Sequence, residues 1–128
     1  IRGDKRIILI NGKPVGAIAR VPKQNEIRSN IHVGGSAKKV SISRSDYAIC
    51  DEIGPELKKR KLFFVGIDVI GKYLTEINVT SPTCLREIKK LSKIDIAKII
   101  WNQRTKLLKQ AKAAKLTKSA TLAQRGAI

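Results

Sequence analysis

Asp68, Glu76 and Asn78 are the residues of this chain whose types and spacing could do chemistry. They lie in the stretch FFVGIDVIGKYLTEINVTSPT, residues 63–83, where two apolar runs flank Gly71-Lys72 and predict a β-hairpin. A two-residue turn would pair Asp68 with Thr75 and scatter the polar residues over both faces. A three-residue loop of Gly71, Lys72 and Tyr73 instead pairs Ile70 with Leu74, Asp68 with Glu76 and Gly66 with Asn78. Alternation then places Asp68, Glu76 and Asn78 on one face, with Val65, Ile67, Val69, Thr75, Ile77 and Val79 on a core face. Two carboxylates and an amide oxygen make an all-oxygen site, which suits Mg²⁺ held together with water and phosphate oxygens. The competing reading of the same residues is the solvated outer face of a hairpin.

Composition bounds what could meet such a site. The chain has 128 residues, 42% of them hydrophobic, with 27 Lys and Arg against 10 Asp and Glu for a formal charge of +17. A globular domain with anionic partners is expected, whether nucleotides, nucleic acid or acidic small molecules. The excess is uneven, with 15 basic and 8 acidic side chains in residues 1–85 and 12 and 2 in residues 86–128. Cys50 and Cys84 lack metal-ligand spacing, and no stretch reads as a signal peptide or a transmembrane segment, so a reduced, cytoplasmic setting is expected. The chain contains no methionine and opens at Ile1, which predicts that it is the C-terminal piece of something longer or a processed product.

The elements that must position the site follow from local pattern. DKRIILI and PVGAIAR flank Asn11-Gly12, a strong hairpin signal, with Asp4 and Arg6 on one face of the first strand and Arg20 closing the second. Residues 21–42 lack a sustained period and read as a long loop, in which Arg28 and Asn30 could bind an anion and Gly34-Gly35 could cradle one. His32, the single histidine, has no recognisable partner and is expected to be non-catalytic. Ser43 and Asp46 form a capping box before a helix with Ile49, Ile53 and Leu57 at helical spacing, weakened by Gly54-Pro55 and closed by a solvated basic run, Lys58 to Lys61. Pro82-Thr83 opens a short helix through Leu91. Asp95 to Leu108 reads as an amphipathic helix with Ile96, Ile100, Leu107 and Leu108 on one stripe and Trp101 packed. Residues 109–128 read as a weak helix or frayed basic tail.

Taken together, GDKRIILINGKPVGAIARVP, EIRSN, the glycine pair and FVGIDVIGKYLTEINVTSPTCLREI resemble prokaryotic glutathione synthetase, an ATP-grasp carboxylate–amine ligase, over about residues 1–110. The resemblance implies an α+β fold, an antiparallel sheet with helices packed on one face, forming the C-terminal half of an ATP-grasp domain, with 111–128 outside it. It implies Mg²⁺ (or Mn²⁺) on Asp68, Glu76 and Asn78, with ATP as co-substrate and Asp4 at the edge of the nucleotide site. Arg6 and Arg20 match active-site arginines, and Arg28 and Asn30 match the substrate loop. Gly34 and Gly35 match a glycine pair, although Ser36 to Lys39 depart from the family pattern. Ser81 and Thr83 match the segment lining the γ-glutamylcysteine pocket. The implied partners are ATP, γ-glutamylcysteine, glycine, the missing N-terminal part and further copies in a tetramer. No membrane partner is implied.

The implied reaction is ligation of glycine to γ-glutamylcysteine through an acyl phosphate. It needs alignment and charge neutralisation more than a protein nucleophile. The fragment alone is expected to be inactive, because the nucleotide is clamped between two halves of the fold. Two other readings stand beside it. One is a ligase-derived basic module that binds nucleic acid or a ribonucleoprotein without catalysis, favoured by the charge and disfavoured by the scarcity of stacking aromatics. The other is an ATP-grasp ligase for a different carboxylate and amine.

Overall fold

A computed structural model describes residues 4–22 and 36–127. Five strands, β1 (Asp4–Ile10), β2 (Lys13–Val21), β3 (Ser36–Lys39), β4 (Phe64–Ile70) and β5 (Tyr73–Asn78), form one antiparallel sheet in the order β3-β2-β1-β4-β5. Strand β1 is central, and its run of Ile7, Ile8, Leu9 and Ile10 is completely buried because both faces of the sheet are covered there. The chain divides into two compact units, 1–96 and 97–128.

Helix α1 (Arg44–Lys59) covers one face. Ile7, Leu9, Ala17, Val65, Ile67 and Val69 from that face join Cys50 and Leu57 of α1 in the main core. The start of α1 is the expected capping box: Ser43 Oγ accepts from the Asp46 backbone N–H, and the Asp46 carboxylate accepts from the Ser43 N–H at 2.7 Å. Pro55 sits inside the helix without ending it. Gly54 is needed because its Cα faces the Asn11-Gly12 turn; a Cβ on Gly54 would run into the Gly12 carbonyl oxygen. Burial holds the Cys50 thiol protonated, with its pKa pushed up to about 11, which makes it a packing residue and not a nucleophile.

The opposite face carries helix α2 (Leu85–Ser92). Gly16 marks the contact: a Cβ there would lie 3.0 Å from Ile88 Cγ2 and 3.3 Å from Ile96 Cδ1, and both isoleucines are buried. The α+β class and the antiparallel sheet are thus as expected, while the helices divide between the two faces. Helix α2 begins two residues later than the sequence indicates, after Cys84 in the left-handed region with no side-chain cap.

Both hairpins share one device. Asn11 and Gly12, at φ +50° and +74°, form a two-residue turn, and Val15 then bulges out of register, so Leu9 faces Pro14 while Ile8 faces Gly16. In the second hairpin Gly71-Lys72 is also a two-residue turn, with Ile70 opposite Tyr73 and Val69 opposite Leu74. The expected three-residue loop is therefore incorrect. The odd residue is Thr75, a bulge beyond the turn, which restores Asp68 opposite Glu76 and Gly66 opposite Asn78. Leu74, not Thr75, takes the core-side position, and the Thr75 hydroxyl donates to the Asp68 carbonyl at 3.0 Å. The core face also fails at β5, an edge strand, where Ile77 is exposed, as is Val79 just beyond its end.

The second unit is simpler. Helix α3 runs unbroken from Ile96 to Arg125, across the expected frayed tail. Of the expected stripe, Ile96 is buried and Ile100 partly so, while Leu107 and Leu108 are exposed; Trp101 is exposed too, so it is not the packing residue expected.

Asp46 supplies a stability test. Burial alone would raise its carboxyl pKa, but hydrogen bonds from Lys5 and Ser43 outweigh this and hold it below its usual value. A depressed folded-state pKa stabilises the fold above the unfolded value of ~3.9, and the contribution is lost as pH falls through the folded value. Asp46→Asn should be less stable at neutral pH and show a flatter loss of stability below about pH 4, read by urea unfolding at several pH values. An unchanged pH profile would show that Asp46 is not the group that titrates.

Candidate active site

Four charged residues meet on the α2 side of the sheet because of cross-strand register. Arg6 pairs with Asp68 across β1 and β4, and Asp4 with Arg20 across β1 and β2. Arg6 grips Asp68 with two bonds, Nε to Oδ1 and Nη2 to Oδ2, the second at 2.8 Å. Arg20 bridges two carboxylates: its Nε donates to Asp4 Oδ1 at 2.9 Å, and its Nη2 donates both to Asp4 Oδ2 and to Asp68 Oδ2, the latter at 2.7 Å. Arg6 and Asp68 are 4% and 5% exposed, so this is a buried, forked ion-pair chain.

Burial would raise the Asp68 carboxyl pKa, but the hydrogen bonds and charge of Arg6, followed by those of Arg20, hold it below the ordinary carboxylate range. Burial likewise disfavours the Arg20 cation, but Asp4 and Asp68 overcome that and raise its pKa. Asp68 and Arg20 are thus both held in their charged forms, and the formal charges of the four residues sum to zero. Glu76, directly opposite Asp68, is exposed and adds a carboxylate that no cation within ion-pair distance compensates among the described residues. Two carboxylates directly opposite each other repel. A divalent cation between them would remove that repulsion.

The donor set fits a hard cation. Each carboxylate oxygen accepts about two bonds. Asp68 Oδ1 receives one from Arg6 and keeps a lone pair, whereas Oδ2 is filled by Arg6 and Arg20. Asn78 Oδ1 accepts from the Thr80 backbone N–H at 3.0 Å and also has one lone pair left. Asp68, Glu76 and Asn78 can thus offer oxygen alone, without sulfur or imidazole.

Other expected residues are placed less closely. Ser81 and Thr83 are exposed in the segment between β5 and α2, with Ser81 at φ +50° and the Thr83 hydroxyl 3.7 Å from Cys84 Sγ. Arg28, Asn30, His32, Gly34 and Gly35 lie outside the described residues. Two contributors were not read from the sequence. Gly66, beside Asp68 on this strand but two residues from it on the same face, lies beneath Pro82 and the Arg6 side chain: a Cβ there would be 2.7 Å from Pro82 Cβ and 3.2 Å from Arg6 Cδ. Pro82 is buried and anchors the Ser81–Thr83 segment against the sheet beside the ion pairs. A glycine within a strand, followed downstream by proline, was the available signal for such a close approach.

The fold and site thus define an α+β domain whose antiparallel sheet carries a forked arginine–carboxylate chain beside an exposed carboxylate. Comparison with known proteins makes this specific. The family profile for the prokaryotic glutathione synthetase ATP-grasp domain matches residues 1–93. The glutathione synthetase of Mesorhizobium japonicum is 55% identical over 101 residues, covering 79% of this chain and 32% of that protein. The glutathione synthetase of Agrobacterium fabrum is 52% identical over the same shares, and that of Synechococcus elongatus is 56% identical over 94 residues, 73% of this chain and 29% of the relative. This chain belongs to the prokaryotic glutathione synthetase family, as part of its ATP-grasp domain. It spans about a third of the length of the curated relatives it matches.

Gly66→Ala tests the packing that holds Arg6 in place. The added methyl must displace Pro82 or Arg6, and overpacking of this kind costs about 1–3 kcal/mol. A lowered urea midpoint is expected, and an unchanged one would show that neither group packs over Gly66.

Proposed function

We propose that this chain is the C-terminal portion of an ATP-dependent ligase that joins glycine to γ-glutamylcysteine, and that its ion-paired sheet face is the phosphate side of the active site. The observation that carries the reading is the alignment of Arg6, Asp68 and Glu76 across three adjacent strands within a domain of this family. In the reaction, ATP phosphorylates the cysteinyl carboxylate, the glycine amine attacks the acyl phosphate, and phosphate leaves. Mg²⁺ or Mn²⁺ on Asp68, Glu76 and Asn78 would supply charge neutralisation at the ATP phosphates.

The chain's own residues are proposed to do the rest. Arg6 and Arg20 present fixed cationic groups to the oxyanion charge that develops on the carboxylate and the transferred phosphoryl group. Their orientation costs little at the moment of reaction, because Asp4 and Asp68 already hold them. Asp4 also sits at the nucleotide edge. Arg28, Asn30, Gly34 and Gly35 are proposed to bind substrate, as are Ser81 and Thr83 in the segment pinned by Pro82. The ligase portion is taken to extend over residues 1–110, and cytoplasmic location and tetramer formation go with this reading. Among the described residues, no helix is long and apolar enough to cross a membrane.

Magnitudes decide which residue tests the proposal. Removing Asp68 leaves the buried Arg6 without its carboxylate, at a cost of ~3–5 kcal/mol, a large share of the ~5–15 kcal/mol that stabilises a domain. Glu76 is exposed and its loss leaves no buried charge behind. In the full-length enzyme, Glu76→Gln should abolish ligase turnover while the melting temperature holds; wild-type turnover would refute the assignment. The 128-residue chain alone, titrated calorimetrically with MgATP, should show weak binding or none. Micromolar affinity would contradict the view that the remaining part of the domain completes the nucleotide site.

A further inference from the structure

Helix α3 runs past the end of the proposed ligase portion at residue 110, and the ligase reading gives its lysines no role. It begins beyond residue 93, where the family match ends, and from residue 97 to 128 the chain holds 8 Lys and Arg and no Asp or Glu. Lys106, Lys109, Lys112, Lys115 and Lys118 recur every three residues, and all five are exposed. In an α-helix of ~3.6 residues per turn, a step of three retreats by about 60°, so these five lysines sweep about 240° around the axis.

That distribution selects among partners. A membrane-surface helix needs its cations on one face and an apolar face opposite, and α3 has neither. A coiled coil needs an apolar seam. Trp101, Leu108 and Leu122 share one heptad position, but Lys115 interrupts that row, and the rows three and four residues on hold Arg104, Lys118 and Arg125 or Thr105, Lys112 and Ser119, so no seam is completed. Positive charge around more than half of a helix matches a surface that supplies anions on both sides. The major groove of B-form DNA does so: it is about 12 Å wide, admits an α-helix and is walled by phosphates. The equivalent groove of A-form RNA is deep and narrow.

We propose that α3 is a duplex-DNA-binding arm that lies in the major groove and is held by lysine–phosphate contacts without sequence preference. Lysine, a point charge on a flexible stem, suits phosphate contact more than base reading. This inference stands apart from the ligase site and survives or fails without it.

The test uses the 128-residue chain and a fluorescent 20-base-pair DNA duplex, with anisotropy followed as a function of salt. Each phosphate neutralised contributes about −0.9 to the slope of log affinity against log salt, so five lysines predict a contribution of about −4 to −5. Replacing Lys109, Lys112 and Lys115 together by Gln, which preserves helix propensity, should reduce the slope by about 3 and weaken binding at least tenfold. The matched replacement of Lys58, Lys59 and Lys61, basic residues outside α3, should change the slope by less than about 1. Equal effects from the two triple variants would overturn the proposal, since net charge alone would then account for binding. So would no binding at 50 mM salt, tighter binding to duplex RNA than to DNA, or tighter binding to phosphatidylserine vesicles.

Discussion

Two single-residue bulges, at Val15 and Thr75, decide which side chains of this sheet share a face. Because side chains alternate along a strand, one extra residue reverses the facing of everything beyond it. Without the bulge at Thr75, the two-residue turn would send Glu76 and Asn78 to the face covered by α1, away from Asp68. Without the bulge at Val15, Arg20 would be on the opposite face from Asp4 and Arg6. The site therefore depends on backbone register before it depends on any side chain, and each bulge falls three residues after its turn.

Register brings the charges together, and burial makes the arrangement rigid. Arg6 and Asp68 would be expensive to bury singly, and they are tolerable here because the guanidinium fork satisfies both carboxylate oxygens while Arg20 adds a third contact shared with Asp4. The same hydrogen bonds leave acceptor capacity on Asp68 Oδ1 and Asn78 Oδ1, on the sheet face that also carries the exposed Glu76. Among the described residues, the ion-paired cluster thus borders a carboxylate with no ion-pair partner, which is where the proposed dication would sit. Gly66 and Pro82 matter because they set the depth at which Arg6 can lie.

What was legible in the sequence was local. The Asn11-Gly12 turn, the Ser43–Asp46 capping box and the pairing of Asp68 with Glu76 all follow from neighbours within a few residues, and all are found. The loop length was misread because a bulge and an extra loop residue have the same effect on alternation; only the placement of Leu74 against the core distinguishes them. Pairing between β1 and β4 was not legible, since it joins Arg6 to a residue 62 positions away and no local pattern encodes strand order. The β5 core face failed because alternation says which side chains share a face, not whether anything covers it. Helix α3 was divided at residue 110 because lysine and alanine give little apolar periodicity, although both are adequate helix formers.

The central claim is that a divalent cation sits on the face shared by Asp68, Glu76 and Asn78. Paramagnetic broadening tests it most directly, using full-length enzyme, isotope-labelled and titrated with Mn²⁺ and ATP. The account predicts that the amide signals of Gly66, Asp68, Glu76 and Asn78 broaden at the lowest Mn²⁺ concentrations, while those of Tyr47 and Ile49 in α1, across the sheet, persist. Broadening centred on α1, or none near Asp68 and Glu76 once Mn²⁺·ATP is bound, would contradict it.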